Sequence, residues 1–225
     1  MLRSFCAMGL VLLLVGCDFP RDSNGALSRV RRESVLRAGY CERPPWVENK
    51  NGNPEGIEPQ LIERFASRLG ARVEWVAGSE SSLIEALRSG QVDVLIGGFL
   101  RDTNWASRAA VSHVYREAKV VVVFPTADSV RALTDLEGAV IAYRPARPDF
   151  AALIASHEAR PEARNDRWGQ IAVAYEFELS EDVHRSRPLK TEKHVILVTS
   201  GENGLLYTLD HFLMQPGQLA GTNKP

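Results

Sequence analysis

Apolar residues recur along this chain in several distinct rhythms. Gly9 to Val15 is an almost unbroken apolar run, too short to cross a bilayer, which takes about 20 apolar residues. From Ser34 onward, short apolar runs of strand length alternate with stretches of helical period. Val35 and Leu36 open a strand over 34–39. Arg43, Pro44, Pro45, Trp46 and Val47 are expected to be extended, because proline fixes its own φ and restricts the residue before it. A turn cluster rich in Asn and Gly follows over 49–56. Leu61, Phe65 and Leu69 then recur every four residues, with Ile62 and Ala66 beside them, which predicts a helix over 59–69 with one apolar face. Pro59 suits its first turn and Gly70 stops it. A strand is expected over 73–76. Ser82 and Glu85 read as the capping box of a second helix ending near Gly90. A buried strand over 92–96 runs into Gly97 and Gly98.

Strand, helix, strand, helix, strand predicts a parallel sheet with helices packed on it. Ligands on such sheets gather beyond the carboxyl ends of the strands. Gly97 and Gly98 are expected at such an end, where missing side chains let a ligand approach the backbone. A tight turn is the competing reading of the pair.

The opening run gains meaning from its flanks. Arg3 supplies a positive start, and small Gly16 stands directly before Cys17, the marks of a secretory signal. The ending Leu14-Val15-Gly16-Cys17 resembles the lipobox of bacterial lipoproteins. That resemblance implies removal of residues 1–16, lipidation of Cys17 and attachment to a membrane. Asp18 resembles the signal that keeps some of these proteins on the periplasmic side of the inner membrane. Residues 17–33 are expected to be a flexible tether, whose Arg29, Arg31 and Arg32 read as solvated linker or, in the alternative, as a cluster near anionic headgroups, where each charge is worth about 1 kcal/mol. Of three cysteines, Cys6 leaves with the leader and Cys17 carries lipid. Cys41 then stands alone, a small buried hydrophobe without a disulfide partner.

Charge excludes one class of partner. The formal net charge of the 225-residue chain is -1, and loss of Arg3 makes it one unit more negative. There is no long basic run, so nothing argues for nucleic acid. The five histidines are scattered without metal-ligand spacing, and no nucleophile elbow or phosphate loop occurs. No metal or cofactor is expected.

Several segments, in order, resemble the bacterial extracellular solute-binding proteins of family 3, the receptors of ABC importers for amino acids and related solutes. Val35-Leu36-Arg37-Ala38-Gly39 through Pro44-Pro45-Trp46 is similar to their opening. Gly56-Ile57-Glu58-Pro59-Gln60-Leu61, with its helix, is similar to the next block. Leu87, Gly90, Asp93, Gly98, Ser112 and Tyr115 match a third, and Leu133 to Gly138 is similar to the opening of the second lobe. The resemblance implies a type II periplasmic-binding-protein fold, two α/β lobes joined by crossover strands, here with a reduced second lobe. Lobe one would be 34–118 plus 200–225, and 119–199 the crossovers and lobe two. The Val120 to Val123 run reads as a strand buried on both faces, with its return over 194–198. A last helix then turns Leu205, Leu206, Leu209 and Leu213 inward. The tail after Pro216 is polar.

The chain departs from the family pattern where ligands are held. The arginine that clasps an α-carboxylate through its two-donor fork is replaced in register by Trp105, with Arg101 and Arg108 flanking. Trp46 and Trp105 are expected as aromatic walls or as packing. The lobe-two segment 143–149 carries two prolines, which remove backbone donors, so Arg144 and Arg147 are left either to offer charge there or to stand as solvated surface arginines. Asp166 and Glu176 are weak stand-ins for the carboxylate that usually meets an amino group. The expected site comprises Trp46, Glu58, Gly98, Phe99, Arg101, Trp105, Tyr115 and Arg144. The expected function is a monomeric, lipid-anchored receptor, not an enzyme, that binds a small solute between its lobes and serves an ABC permease. Two other readings stay open. One is a paralogue without transport function, acting as a sensory or protein-interaction module. The other is a periplasmic dehydratase-like enzyme on the same fold, with Glu58 and His113 as acid and base.

Overall fold

The computed structural model describes residues 22–127, 136–166 and 169–218; the leader, Cys17, the start of the second-lobe motif and the last residues lie outside them. The first half contains helix α1 (Ala26–Glu33), strand β1 (Val35–Tyr40), a hairpin of β2 (Glu48–Lys50) and β3 (Asn53–Glu55), α2 (Ile57–Arg68), β4 (Arg72–Ala77), α3 (Glu80–Arg88) and β5 (Val94–Leu100). A short β6 (Ala110–Val111) precedes the long β7 (Arg116–Phe124). Beyond it lie β8 (Val140–Tyr143), α4 (Pro148–Ala155), β9 (Arg160–Ala163), β10 (Ala172–Tyr175) and β11 (His184–Arg185). Strand β12 (Lys190–Val198) returns to the first half, and α5 (Asn203–Leu213) packs there.

One sheet, ordered β4-β1-β5-β12-β7-β10-β8-β9, runs through the molecule. Strand β1 pairs parallel with β4 and β5, and β8 pairs parallel with β9 and β10. Antiparallel β12 and β7 join these two parallel blocks. The Val120 to Val123 run lies in β7, which starts earlier, at Arg116; the return strand likewise starts earlier, at Lys190. His194 stands where β12 changes partner, opposite Arg116 of β7 and Leu100 of β5.

Both faces of the first-half sheet are covered. Leu61, Ile62, Phe65 and Ala66 of α2 are buried, as their four-residue rhythm requires, and join Val94, Ile96, Leu205 and Leu209 in one core. Each of these side chains larger than alanine contributes about 1.5–3 kcal/mol on burial. On the other face, Leu83, Ile84 and Leu87 of α3 meet Leu95, Phe99, Val195 and Leu197. The α2-side core continues without a break through Trp46, Tyr115 and Tyr175 to Ile141, Phe150 and Ile154 of the second half.

Four local expectations are corrected. Residues 22–33 are not a flexible tether: they carry α1, docked on the first half. Ala26 and Val30, one turn apart, are buried among the arginines. The Glu202 carboxylate accepts from the Asn24 and Ala26 backbone N–H groups at 2.8 and 2.9 Å, satisfying donors that a helix start leaves open. Asp22 links Leu27 and Leu205 N–H groups in the same way, and Arg29 pairs with buried Asp93. Second, the α3 cap is Ser79, whose Oγ accepts from Ser82 N–H at 3.3 Å. The helix begins one turn before the Ser82–Glu85 box because Glu80 and Ser81 already continue its backbone. Third, 43–47 is a turn closed by Trp46 N–H donating to Arg43 O at 2.9 Å, with a cis Pro44–Pro45 bond. Fourth, β5 does not end at its glycine pair. It continues to Leu100, with a register shift against β12 between Val195 and Leu197.

Candidate functional site

The β5 irregularity creates the first half of the site. Gly97 and Gly98 have φ of +151° and +64°, a backbone that side-chain-bearing residues rarely adopt. Their N–H groups converge on one oxygen of Glu58, at 2.7 and 2.9 Å. The other oxygen accepts from the Tyr115 hydroxyl at 2.5 Å. Glu58 sits in the first turn of α2, where a carboxylate also complements the helix dipole, and it is fully buried. Burial raises its pKa above the ordinary carboxylate value, against the downward pull of Tyr115 and the two glycine amides. A β-carbon on Gly98 would come within 2.6 Å of Trp46 Cδ1, so the bare backbone there is what seats the indole. Cys41 lies against Gly97, and burial pushes its thiol up to about 12.

Trp46 connects the two halves. It is 0% exposed and stacks on His194, with ring centroids 3.7 Å apart and planes at 30°. Tyr175 and Phe177 meet the indole edge-on at 5.2 and 5.5 Å. The indole N–H donates to Tyr175 Oη at 3.1 Å. That hydroxyl donates in turn to Glu192 Oε2 at 2.6 Å and accepts from the Arg147 guanidinium. Arg147 is 2% exposed. It also reaches Asp149 and Glu192, and lies 3.9 Å from the centre of the Phe150 ring.

Electrostatics follow from this packing. Burial alone would raise the Glu192 pKa, but the close approach of His194, the hydrogen bond from Tyr175 and the charge of Arg147 outweigh it, leaving a value of about 2. Burial lowers the His194 imidazole below its ordinary value, against the upward pull of Glu192. His194 Nε2 is 3.3 Å from Glu192 Oε2, within ion-pair range, yet neither ring nitrogen has an aligned hydrogen-bond partner among the described residues. The junction is buried, aromatic-walled and ionic, a place able to hold a charged polar group by directed bonds.

The structure brings together Trp46, Glu58, Gly98 and Tyr115 of the expected set. Phe99 belongs to the α3-side core. Trp105 lies with Arg108 over its ring and donates to Glu80, which also pairs with Arg43. Arg101 is exposed, and Arg144 pairs with Glu178 at 3.0 Å. His113 is exposed, and Glu176 pairs outward with Lys119 and Arg185. Of the two lobe-two arginines, Arg147 is the one turned inward. Sequence reading missed Tyr175, Glu192 and His194 as site residues. A signal existed for each: the alternation through Val173, Tyr175 and Phe177, and Glu192 and His194 standing two apart, on one face of the crossover strand just before it turns apolar at Val195.

The sequence profile of the bacterial extracellular solute-binding proteins, family 3, matches residues 36–216, and this chain belongs to that family. Membrane-bound lytic murein transglycosylase F of Vibrio cholerae serotype O1 is 31% identical over 115 residues, 50% of this chain and 22% of that enzyme. The chain thus spans about a fifth of the length of such relatives. A protein of Campylobacter jejuni named as a probable histidine-binding protein is 25% identical over 139 residues, 61% of this chain and 54% of the other. Among solved structures, an ancestral cationic amino acid solute-binding protein superposes with a TM-score of 0.72 at 19% identity, over 88% of this chain and 97% of that one. The binding component of an ABC transporter from Wolinella succinogenes, described as putative and complexed with lysine, gives 0.62 at 17% identity, over 84% and 94%. These likenesses define the fold as the two-lobed type II periplasmic-binding-protein arrangement, with a reduced second lobe.

Proposed function

We propose that this chain is a solute receptor that takes an amino acid or a related small solute at the junction of its two halves, without chemical turnover. One observation carries the reading. The Gly97–Gly98 bulge and the 143–149 segment, far apart in sequence, meet there through Trp46, Tyr175 and Arg147. Both lie beside the β7–β12 pair, the hinge on which such halves move. The proposal includes export, lipid attachment at Cys17, a position on the periplasmic side of the inner membrane and delivery of the solute to an ABC permease. Names borne by the relatives support a small-molecule solute.

A thermal-shift screen of the full-length protein against amino acids, polyamines, small carboxylates and aromatic solutes tests the reading. A ligand that binds only the native state adds about 2.7 kcal/mol at a hundred times its Kd, so one solute class raises Tm with dose. A flat response across a cooperative transition rejects the receptor. That result would favour the second reading, an interaction module, which the filling of the junction by the chain's own side chains supports. Replacing Cys17 with Ser tests the anchor: the protein should move from the membrane to the soluble fraction.

A further inference from the structure

Arg147 is surrounded as a bound cation would be. Its guanidinium faces the Phe150 ring at 3.9 Å and the Tyr175 ring at 5.1 Å, and cations are drawn to such faces. Its nitrogens meet Asp149, Tyr175 Oη and, at 3.5 Å, Glu192 Oε2. Two carboxylates, two aromatic faces and a hydroxyl thus converge on one planar cation. We propose that Arg147 is a tethered occupant of a guanidinium-binding box, and that the solute taken at this junction is a cation that displaces it. The inference rests on the receptor reading above and names its solute class.

Three features support displacement over a fixed structural role. Arg147 belongs to the 143–149 connection and immediately precedes α4, so its side chain hangs from a segment end, whereas Tyr175 and Glu192 are fixed in β10 and β12. The box reaches the surface at Asp149, whose side chain is 45% exposed while that of Arg147 is 3% exposed. His194, fully buried with Nε2 3.3 Å from Glu192 Oε2 and no aligned hydrogen bond at either ring nitrogen among the described residues, offers further polar atoms at the inner end.

Charge sets the class of solute. With Arg147 swung out, Glu192 retains Lys190 at 3.4 Å on one oxygen and His194 near the other. Asp149 and the oxygen of Glu192 that faces Tyr175 lose their cation. A neutral or anionic solute takes from buried Glu192 one of its two cationic partners and leaves Lys190 as the other, a costly loss at a desolvated carboxylate. A guanidinium or ammonium group restores the pairing. Glu58 bars carboxylates from the other half, since it already takes both glycine amides.

The test compares full-length wild type, Arg147→Met and Glu192→Gln by calorimetry with arginine, agmatine, leucine and glutamate. Methionine keeps an unbranched stem over Phe150 while removing the competing charge. Wild type should bind arginine or agmatine in preference to leucine and glutamate. Arg147→Met should bind the cations about tenfold more tightly, because the share of protein with an empty box rises. Glu192→Gln, with Arg147 in place, should weaken them about tenfold, the loss of one charged partner. Loss of cation binding in a folded Arg147→Met protein makes Arg147 a solute contact and overturns the inference while the receptor stands. A wild type that prefers glutamate or leucine overturns it too. If no solute binds any of the three, the receptor reading fails and takes this inference with it. Should Arg147→Met fail to fold, unchanged cation affinity in Glu192→Gln is the overturning result.

Discussion

The Trp46 indole N–H donates to Tyr175 Oη at 3.1 Å across the junction between the two halves of the molecule. The bond joins a turn after β1 to a strand 129 residues later, and it is the inner link of a chain that continues to Glu192 and Arg147. Two fully buried aromatic side chains thus tie the halves together by a directed bond as well as by packing.

Truncating this contact should be costly. Trp46→Ala is expected to lose about 3–5 kcal/mol of stability, as for other buried aromatic residues. Tyr175→Phe keeps the ring but leaves the indole N–H and Glu192 without that hydroxyl, a loss of about 1–3 kcal/mol. Urea denaturation of both variants at pH 7 checks the order. Equal stabilities would remove Trp46 from the centre of the junction.

Glu58 should separate charge from hydrogen bonding. Its carboxyl is disfavoured as an anion by burial, so Glu58→Gln relieves that penalty and should change stability by no more than about 1 kcal/mol. Glu58→Ala strands two glycine amides and the Tyr115 hydroxyl, and should cost about 3 kcal/mol or more. Denaturant midpoints of the two variants decide it.

The acid response should carry the mark of His194. Its folded pKa lies below the ordinary 6.5, so below pH 6.5 the unfolded chain takes up a proton that the folded chain refuses. Stability then falls as pH drops from 6.5 towards the depressed value. Glu192 adds a second loss of the same sign, between 4.5 and about 2. Glu58 opposes both: its raised pKa makes the folded state bind the extra proton, so its share of stability falls as pH rises from 4.5. His194→Phe, which keeps a ring under Trp46, should flatten the slope of stability between pH 7 and 5. An unchanged slope would assign the response to other groups.

Helix α1 should come loose when its cap is removed. Glu202 is 2% exposed and accepts from two backbone N–H groups and the Asn24 side chain. Glu202→Ala is expected to cost about 2–3 kcal/mol, through buried donors left unpaired. Amide exchange should accelerate over 24–33 and α5 first, with the β1–β5 block still protected. Uniform acceleration across the chain would mean that α1 unfolds only with the whole domain.

Much of the frame was legible in the sequence because it rests on local rules. The four-residue rhythm of Leu61 and Phe65, the glycine after Leu69 and the β-branched run from Val120 to Val123 each bias one short segment, and their order defined the α/β class. Family membership was legible for the same reason, in spaced residues such as Gly90, Asp93 and Tyr115. Trp46, Glu58, Gly98 and Tyr115 could be named because they stand within those segments. Tertiary structure decided the rest, through partners that periodicity cannot assign. Residues 22–33 look like solvated chain until Glu202 and Asp93 are brought beside them. Arg144 and Arg147 are alike in sequence, and only the approach of Tyr175 and Glu192 buries one and leaves the other on Glu178. An ion pair or a buried hydroxyl depends on distances of about 3 Å between strands remote in the chain, and those distances exist only once the sheet has formed.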